Sequence, residues 1–199
     1  AGHQLTDDER AFFKDADPFG FILFAENIDT QDQIRALTAT LRETVGRDDA
    51  PILIDQEGGR VARLTPPQWR SAPPAKAFGD LALGDMEAAR RAAEINARLI
   101  AAELFDLGID VDCAPVLDLS IPGAHDVIGD RSFGGNPDLV IAVARAFADG
   151  LMVGGVMPMI KHVPGHGRAM ADSHKELPAV ELPRAELEMT DFAPFKGLS

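Results

Sequence analysis

Positive charge and cysteine are both scarce in this chain. Against 32 Asp and Glu it carries 19 Lys and Arg, a formal net charge of −13. A nucleic-acid backbone or an anionic membrane surface asks for clustered cations, so this balance disfavours both as partners. A small neutral or polar ligand fits better, although acidity also simply keeps a protein in solution. Cys113 is the only cysteine. No internal disulfide can form, which suits a reducing compartment. The residue sits in the apolar run IDVDCAPVLDL, where a thiol reads as buried and inert. No stretch approaches the roughly 20 apolar residues of a membrane span. The opening AGHQLTDDER is polar and acidic, unlike a signal peptide, so the cytoplasm is the expected location. Because the chain begins without Met, a leader further upstream stays open.

What is present is globular: 199 residues, 46% apolar and 26% charged, without linker, repeat or low-complexity segment. Strand and helix signals alternate. Residues 19–24 (FGFILF) form a short apolar run, the pattern of a strand buried on both faces. Thr30 with Gln33 three residues on reads as a capping box. Ile34, Leu37, Leu41 and Val45 then recur at helical spacing until Gly46. Further strands are expected at 51–56, 109–116 and 155–162, with Pro158 warning of irregular pairing. A long Ala-rich helix is predicted over 85–107, closed by Gly108, and Asn136-Pro137 opens another carrying Leu139, Val140, Val143, Phe147 and Leu151.

Repeating β-then-α units mean a parallel sheet with helical crossovers. Each predicted strand ends in polar residues: NID, DQEGGR, DLS and KHVPGHG. Chemistry at the carboxyl ends of strands belongs to (β/α)8 barrels and to open doubly wound sheets. No Gly-rich phosphate fingerprint follows the first strand, which counts against the nucleotide-binding alternative. The expected fold is therefore an α/β TIM barrel. Such a barrel takes about 250 residues, and only four strands are legible. Residues 1–199 are expected to be roughly its first half, incomplete at the C-terminus.

The motifs hold the candidate site. Asp55 lies where the second strand runs out, Gly58-Gly59 allow a tight turn that lets backbone approach a ligand, and Arg60 and Arg63 follow. A carboxylate and a guanidinium in one pocket suit a polyhydroxylated ligand, though a purely structural pair reads equally well. In VIGDRSFG, Arg131 either reaches the barrel mouth or pairs with Asp130 or another acid. The stretch IKHVPGHGRAMADSHKELP carries three of the five histidines. Lys161 and His162 end the fourth strand and should point at the mouth. Pro164, Gly165 and Gly167 forbid regular structure, so 163–179 is expected to be a long loop over the site. Within it Asp172 and His174 are two apart, so the carboxylate can hold the imidazole and fix its tautomer for acid–base work near neutral pH. His162 and His166 have the spacing of a helical metal pair, which Pro164 and Gly165 spoil, so no metal is expected.

Together DQEGGRVARL, GIDVDCAPVLDL, GDRSFG and above all KHVPGHGRAMADSHKELP resemble the glycoside hydrolase family 3 β-N-acetylglucosaminidases of the NagZ type, from about Leu5 to the final residues. The resemblance implies a TIM-barrel catalytic domain and retaining hydrolysis of terminal β-linked N-acetylglucosamine from 1,6-anhydro-N-acetylmuramic acid muropeptides in peptidoglycan recycling. It places His174 as general acid/base, Asp172 as its orienting partner, and Asp55, Arg63, Arg131, Lys161 and His162 around the sugar. It implies no cofactor, a small carbohydrate as partner and a monomer at full length. An Asp-paired imidazole needs no burial to titrate near neutral pH, which rationalises replacing the usual carboxylic acid. The family nucleophile, an aspartate in a DDL-like motif beyond the His loop, has no counterpart before Ser199. Asp191, in EMTDFAPF, stands in the wrong context. Two alternatives remain from these residues: a glycoside phosphorylase, whose His would not repel an incoming phosphate, and an inactive sugar-binding fragment.

Overall fold

The computed structural model describes residues 1–124, 126–169 and 179–198. Its frame is a four-stranded parallel sheet of β1 (Phe21–Leu23), β2 (Ile52–Ile54), β5 (Val111–Asp112) and β6 (Met157–Pro158), hydrogen-bonded in that order. Between β2 and β5 lies an antiparallel hairpin, β3 (Gln56–Gly58) and β4 (Val61–Ala62). Parallel strands that follow one another in space as in sequence, joined by crossovers of the usual single hand, place their helices on one face. The order never reverses, so the sheet has no switch point of the doubly wound kind. This is the arrangement of part of a (β/α)8 barrel.

The strands are shorter than their apolar runs. Pro158 shows why β6 tolerates a residue without an amide hydrogen. Met157 N–H donates to Asp110 O at 2.8 Å and Met159 N–H to Asp112 O at 2.9 Å, so the missing donor falls on the opposite edge. Beyond β6, a bridge between Val116 and Lys161 continues the pairing.

Helix ends follow their caps. α1 (Asp7–Ala16), which the polar opening did not disclose, starts from Thr6 and Glu9 in a reciprocal capping box. In α2 (Gln31–Val45), Thr30 caps Gln33 N–H, but the Gln33 side chain accepts from Asp29 N–H at 2.9 Å rather than from Thr30. α3 (Ala75–Ala82) leads to α4 (Met86–Asp106), capped by Asp85, and Asn136 caps α5 (Pro137–Val153) through two amides. Two short helices, α6 (Arg184–Met189) and α7 (Ala193–Leu198), follow. α4 and α5 pack through small residues. A Cβ on Gly150 would come within 2.4 Å of Glu94 O, so only glycine permits this approach.

The two sheet faces differ. Leu23, Ile52 and Ile54 join Ile34, Leu37 and Leu41 of α2 in the core, each fully buried branched chain contributing roughly 1.5–3 kcal/mol. The register aligns Ile22, Leu53, Val111 and Met157 on the other face, where Ile22 is 43% and Met157 66% exposed.

Candidate active site

Polar side chains gather where the chain leaves the carboxyl ends of the strands. Asp55 follows β2 directly, and its carboxylate accepts from Lys161 Nζ at 2.6 Å and Arg63 Nη2 at 2.9 Å. Lys161 lies 2.6 Å from Glu57 Oε1 as well. Glu57 in turn takes Arg131 in a bidentate grip, Nε to Oε2 and Nη2 to Oε1, both 2.8 Å. Arg131 Nη2 stands 3.4 Å from His162 Nε2, whose Nδ1 lies 2.5 Å from Asp118 Oδ2. Asp118 Oδ1 accepts the backbone N–H of His166 at 2.6 Å. One continuous network thus runs Arg63–Asp55–Lys161–Glu57–Arg131–His162–Asp118.

Burial makes the pairing necessary, because a half-buried charge without a partner costs several kcal/mol. Only His162 (40% side-chain exposure) and Arg63 (26%) offer much surface to solvent; Asp118 offers none. Burial pushes the Asp55 carboxyl up, but the hydrogen bonds and charges of Lys161 and Arg63 outweigh it and hold the group below its ordinary value. Burial likewise works against the Arg131 charge, yet Glu57 keeps that guanidinium above its ordinary value. The result is a rigid set of donor forks and carboxylate acceptors, the inventory that a polyhydroxylated ligand requires.

Asp55, Arg63, Arg131, Lys161 and His162 are therefore brought together. Of the alternatives open for Arg131, the structure takes the mouth of the sheet and another acid, Glu57, and not the neighbouring Asp130. Asp130 accepts from Arg60 at 2.7 Å, and Arg60 also binds the carbonyls of Asp126, Val127 and Ile128, so Arg60 organises a loop rather than a pocket. Gly58 and Gly59 do form the tight turn, with φ of 96° and 58°. The chain's own Pro73 and Pro74 approach them, within 2.6 Å of the Cβ that any other residue would add. Asp172 and His174 lie outside the described residues.

Glu57 and Asp118 escaped the sequence reading, though each left a signal. Glu57 is two residues from Asp55, and extended chain puts both on one side. Asp118 is a lone acid between Leu117 and Leu119, and a charge inside an apolar run must find a partner. His166 contributes its amide, while its Nε2 is buried without a hydrogen bond among the described residues. No group of three or more metal-ligating side chains occurs among the described residues. Nor is any described helix long and apolar enough to cross a membrane. Asp191 is 4% exposed, engaged by Arg168 Nε at 2.6 Å and Thr190 Oγ1 at 2.8 Å. Cys113 is buried, and burial first, then the Asp55 charge, pushes its thiol up to about 11.

Known proteins are similar to this chain in sequence and in fold. A beta-hexosaminidase of Methylococcus capsulatus is 42% identical over 197 residues, covering 99% of this chain and 57% of that protein. A beta-hexosaminidase of Chromobacterium violaceum is 39% identical over 199 residues, covering 100% and 55%. The chain thus spans about half the length of these curated relatives. The crystal structure of native NagZ from Neisseria gonorrhoeae superposes with a TM-score of 0.93 at 38% identity, over 100% of this chain and 57% of that one. The same gonococcal protein has been solved with N-trifluoroacetyl-D-glucosamine. Residues 3–198 match the family described as the glycosyl hydrolase family 3 N terminal domain. With the family match over residues 3–198 and the sequence and fold likeness in agreement, the chain belongs to that family.

Proposed function

We propose that the protein carrying this chain is a retaining exo-β-N-acetylglucosaminidase. It removes terminal β-linked N-acetylglucosamine from peptidoglycan fragments that carry 1,6-anhydro-N-acetylmuramic acid, as part of cell-wall recycling in the cytoplasm. The observation that carries this reading is the convergence of Asp55, Arg63, Lys161, Arg131 and His162 in one polar cluster at the strand ends. It is supported by relatives named beta-hexosaminidase and by a structural neighbour that holds an N-acylated glucosamine.

In this reading the five residues grip the terminal sugar: Asp55 accepts from hydroxyls, while Lys161 and the two arginines donate to them. An aspartate supplied by the rest of the protein attacks the anomeric carbon while His174 gives a proton to the leaving oxygen. His174 then takes a proton from the water that displaces the aspartate and frees the sugar, and Asp172 holds its ring in the required tautomer. Covalent catalysis by that aspartate, proton transfer and positioning supply the chemistry without a metal or organic cofactor. The partner is a small carbohydrate, and the working protein is a monomer.

The test is product analysis with the full-length protein and N-acetylglucosaminyl-1,6-anhydro-N-acetylmuramic acid. Free N-acetylglucosamine of retained anomeric configuration is expected, with and without phosphate. N-acetylglucosamine 1-phosphate appearing in phosphate buffer would move the reading to a phosphorylase, and no cleavage would end it. His174→Ala is expected to slow turnover by about 10²–10⁴-fold with ligand binding nearly intact.

A further inference from the structure

Asp118 is the most deeply buried member of the network, yet nothing places it against a ligand. Its side chain has no solvent exposure, and each carboxylate oxygen already faces a nitrogen. Oδ1 receives the backbone N–H of His166, a group that can only donate. Oδ2 lies 2.5 Å from His162 Nδ1, so the ionised carboxylate requires the ring proton on Nδ1. The other ring nitrogen, Nε2, faces Arg131 Nη2 at 3.4 Å. A guanidinium has donors only, so Nε2 meets it with its lone pair. One hydrogen of that Nη2 is spent on Glu57 Oε1 at 2.8 Å, and the second points toward His162.

We infer that Asp118 is a positioning residue which fixes His162 as a hydrogen-bond acceptor, so that His162 Nε2 and Arg131 Nη2 together read one hydroxyl group of the ligand. A group that bridges an acceptor and a donor must give one hydrogen and accept another. A hydroxyl does both. An ether oxygen or a fluorine only accepts, and an ammonium only gives. The His162–Arg131 contact is long for a hydrogen bond, so a hydroxyl that donates to Nε2 and accepts from Nη2 replaces a weak contact with two good ones. The same Asp118 ties the His166 amide, which holds 162–166 in the geometry that aims the ring. That the hydroxyl belongs to a sugar ring rests on the function proposed above.

The first experiment uses full-length protein with ¹⁵N-labelled histidine, the His162 signals being assigned by their loss in His162→Gln. Long-range ¹H–¹⁵N spectra are expected to show His162 protonated on Nδ1 and bare on Nε2. The Nε2–H form would overturn the inference without any variant of Asp118. Asp118→Asn sharpens it, because an amide offers its oxygen to only one of the two N–H groups. Keeping the His166 amide turns the NH2 toward His162 Nδ1, so the ring is expected to switch to the Nε2–H form, and binding of N-acetylglucosamine to weaken roughly tenfold or more. An unchanged tautomer with unchanged binding would overturn the role given to Asp118.

The hydroxyl is tested with N-acetylglucosamine analogues in which each ring hydroxyl in turn is replaced by fluorine. One analogue is expected to lose about tenfold in affinity against wild type, a loss that disappears in His162→Gln. Equal losses in both proteins would overturn the shared reading by His162 and Arg131. If N-acetylglucosamine itself fails to bind while the Nδ1–H form is found, the sugar assignment falls and the role of Asp118 in setting the tautomer stands.

Discussion

Asp55 and Asp112 end neighbouring strands of one sheet and have opposite fates. Asp55 sits at the mouth, partly open, with Lys161 and Arg63 on its two oxygens. Asp112 is fully buried; one oxygen accepts from Gln56 N–H at 3.0 Å, and the other has no hydrogen-bond partner among the described residues. Asp55 titrates below the ordinary carboxylate range. Asp112 is raised well above it, by burial first and against the pull of the Gln56 amide. Both are removed from water, so the difference lies in what replaces the water. Cations restore the charge at Asp55; at Asp112 a single backbone dipole does not. The mouth is therefore a place built to keep charges, and the layer beneath it a place that suppresses them.

Removing the shared cation should hurt most. Lys161→Met leaves Asp55 and Glu57 as neighbouring carboxylates with a common partner gone. A loss of about 3–5 kcal/mol is expected, read from denaturant midpoints at constant slope, and ligand binding should vanish. A wild-type midpoint would mean that water already serves these carboxylates.

Glu57→Gln comes next. Arg131 loses one arm of its grip and Lys161 loses one of two anions, at about 1.5–3 kcal/mol for the charged hydrogen bonds. The variant should bind sugar more weakly while remaining folded. Binding as tight as wild type would show that Arg131 is held by other groups.

Asp112→Asn should have the smallest effect, and its pH dependence is the informative part. Because the folded carboxyl holds its proton more tightly than the unfolded one, unfolding releases a proton and wild-type stability falls as pH rises above about 4. An amide has no proton to lose. The thermal midpoint of Asp112→Asn relative to wild type should therefore improve as pH rises above about 4, where the unfolded carboxyl titrates. Asp55 has the opposite sign: its contribution is complete above the unfolded value and is lost as pH falls through the lowered folded one. A flat difference for Asp112→Asn would show that its carboxyl ionises in the fold as freely as in water.

The frame was legible because its signals are local. Apolar runs marked the four strands, Asn136-Pro137 and Asp85 marked helix starts, and Asp55, Lys161 and His162 were visible as polar residues at strand ends. Glu57 and Asp118 were not, because an isolated acid looks alike whether it faces water or an arginine 74 residues away. α1 was hidden by its acidic first turn, in which Asp7, Asp8 and Glu9 favour the helix start but read as solvated chain.

By itself the sequence determined the alternation of elements, the parallel sheet it implies, the strand ends as the place of chemistry and, through its motifs, the family. Those follow from periodicity, capping and short-range turn geometry, which act over a few residues. Only the tertiary structure decided that Arg131 serves Glu57 and not Asp130, that Arg60 belongs to a loop, that Gly58 and Gly59 make room for Pro73 and Pro74, and that Asp118 stands behind His162. Each of these is a choice among partners far apart in sequence. It is settled by which charges become buried together, because a buried charge has to be matched by whatever the fold brings beside it.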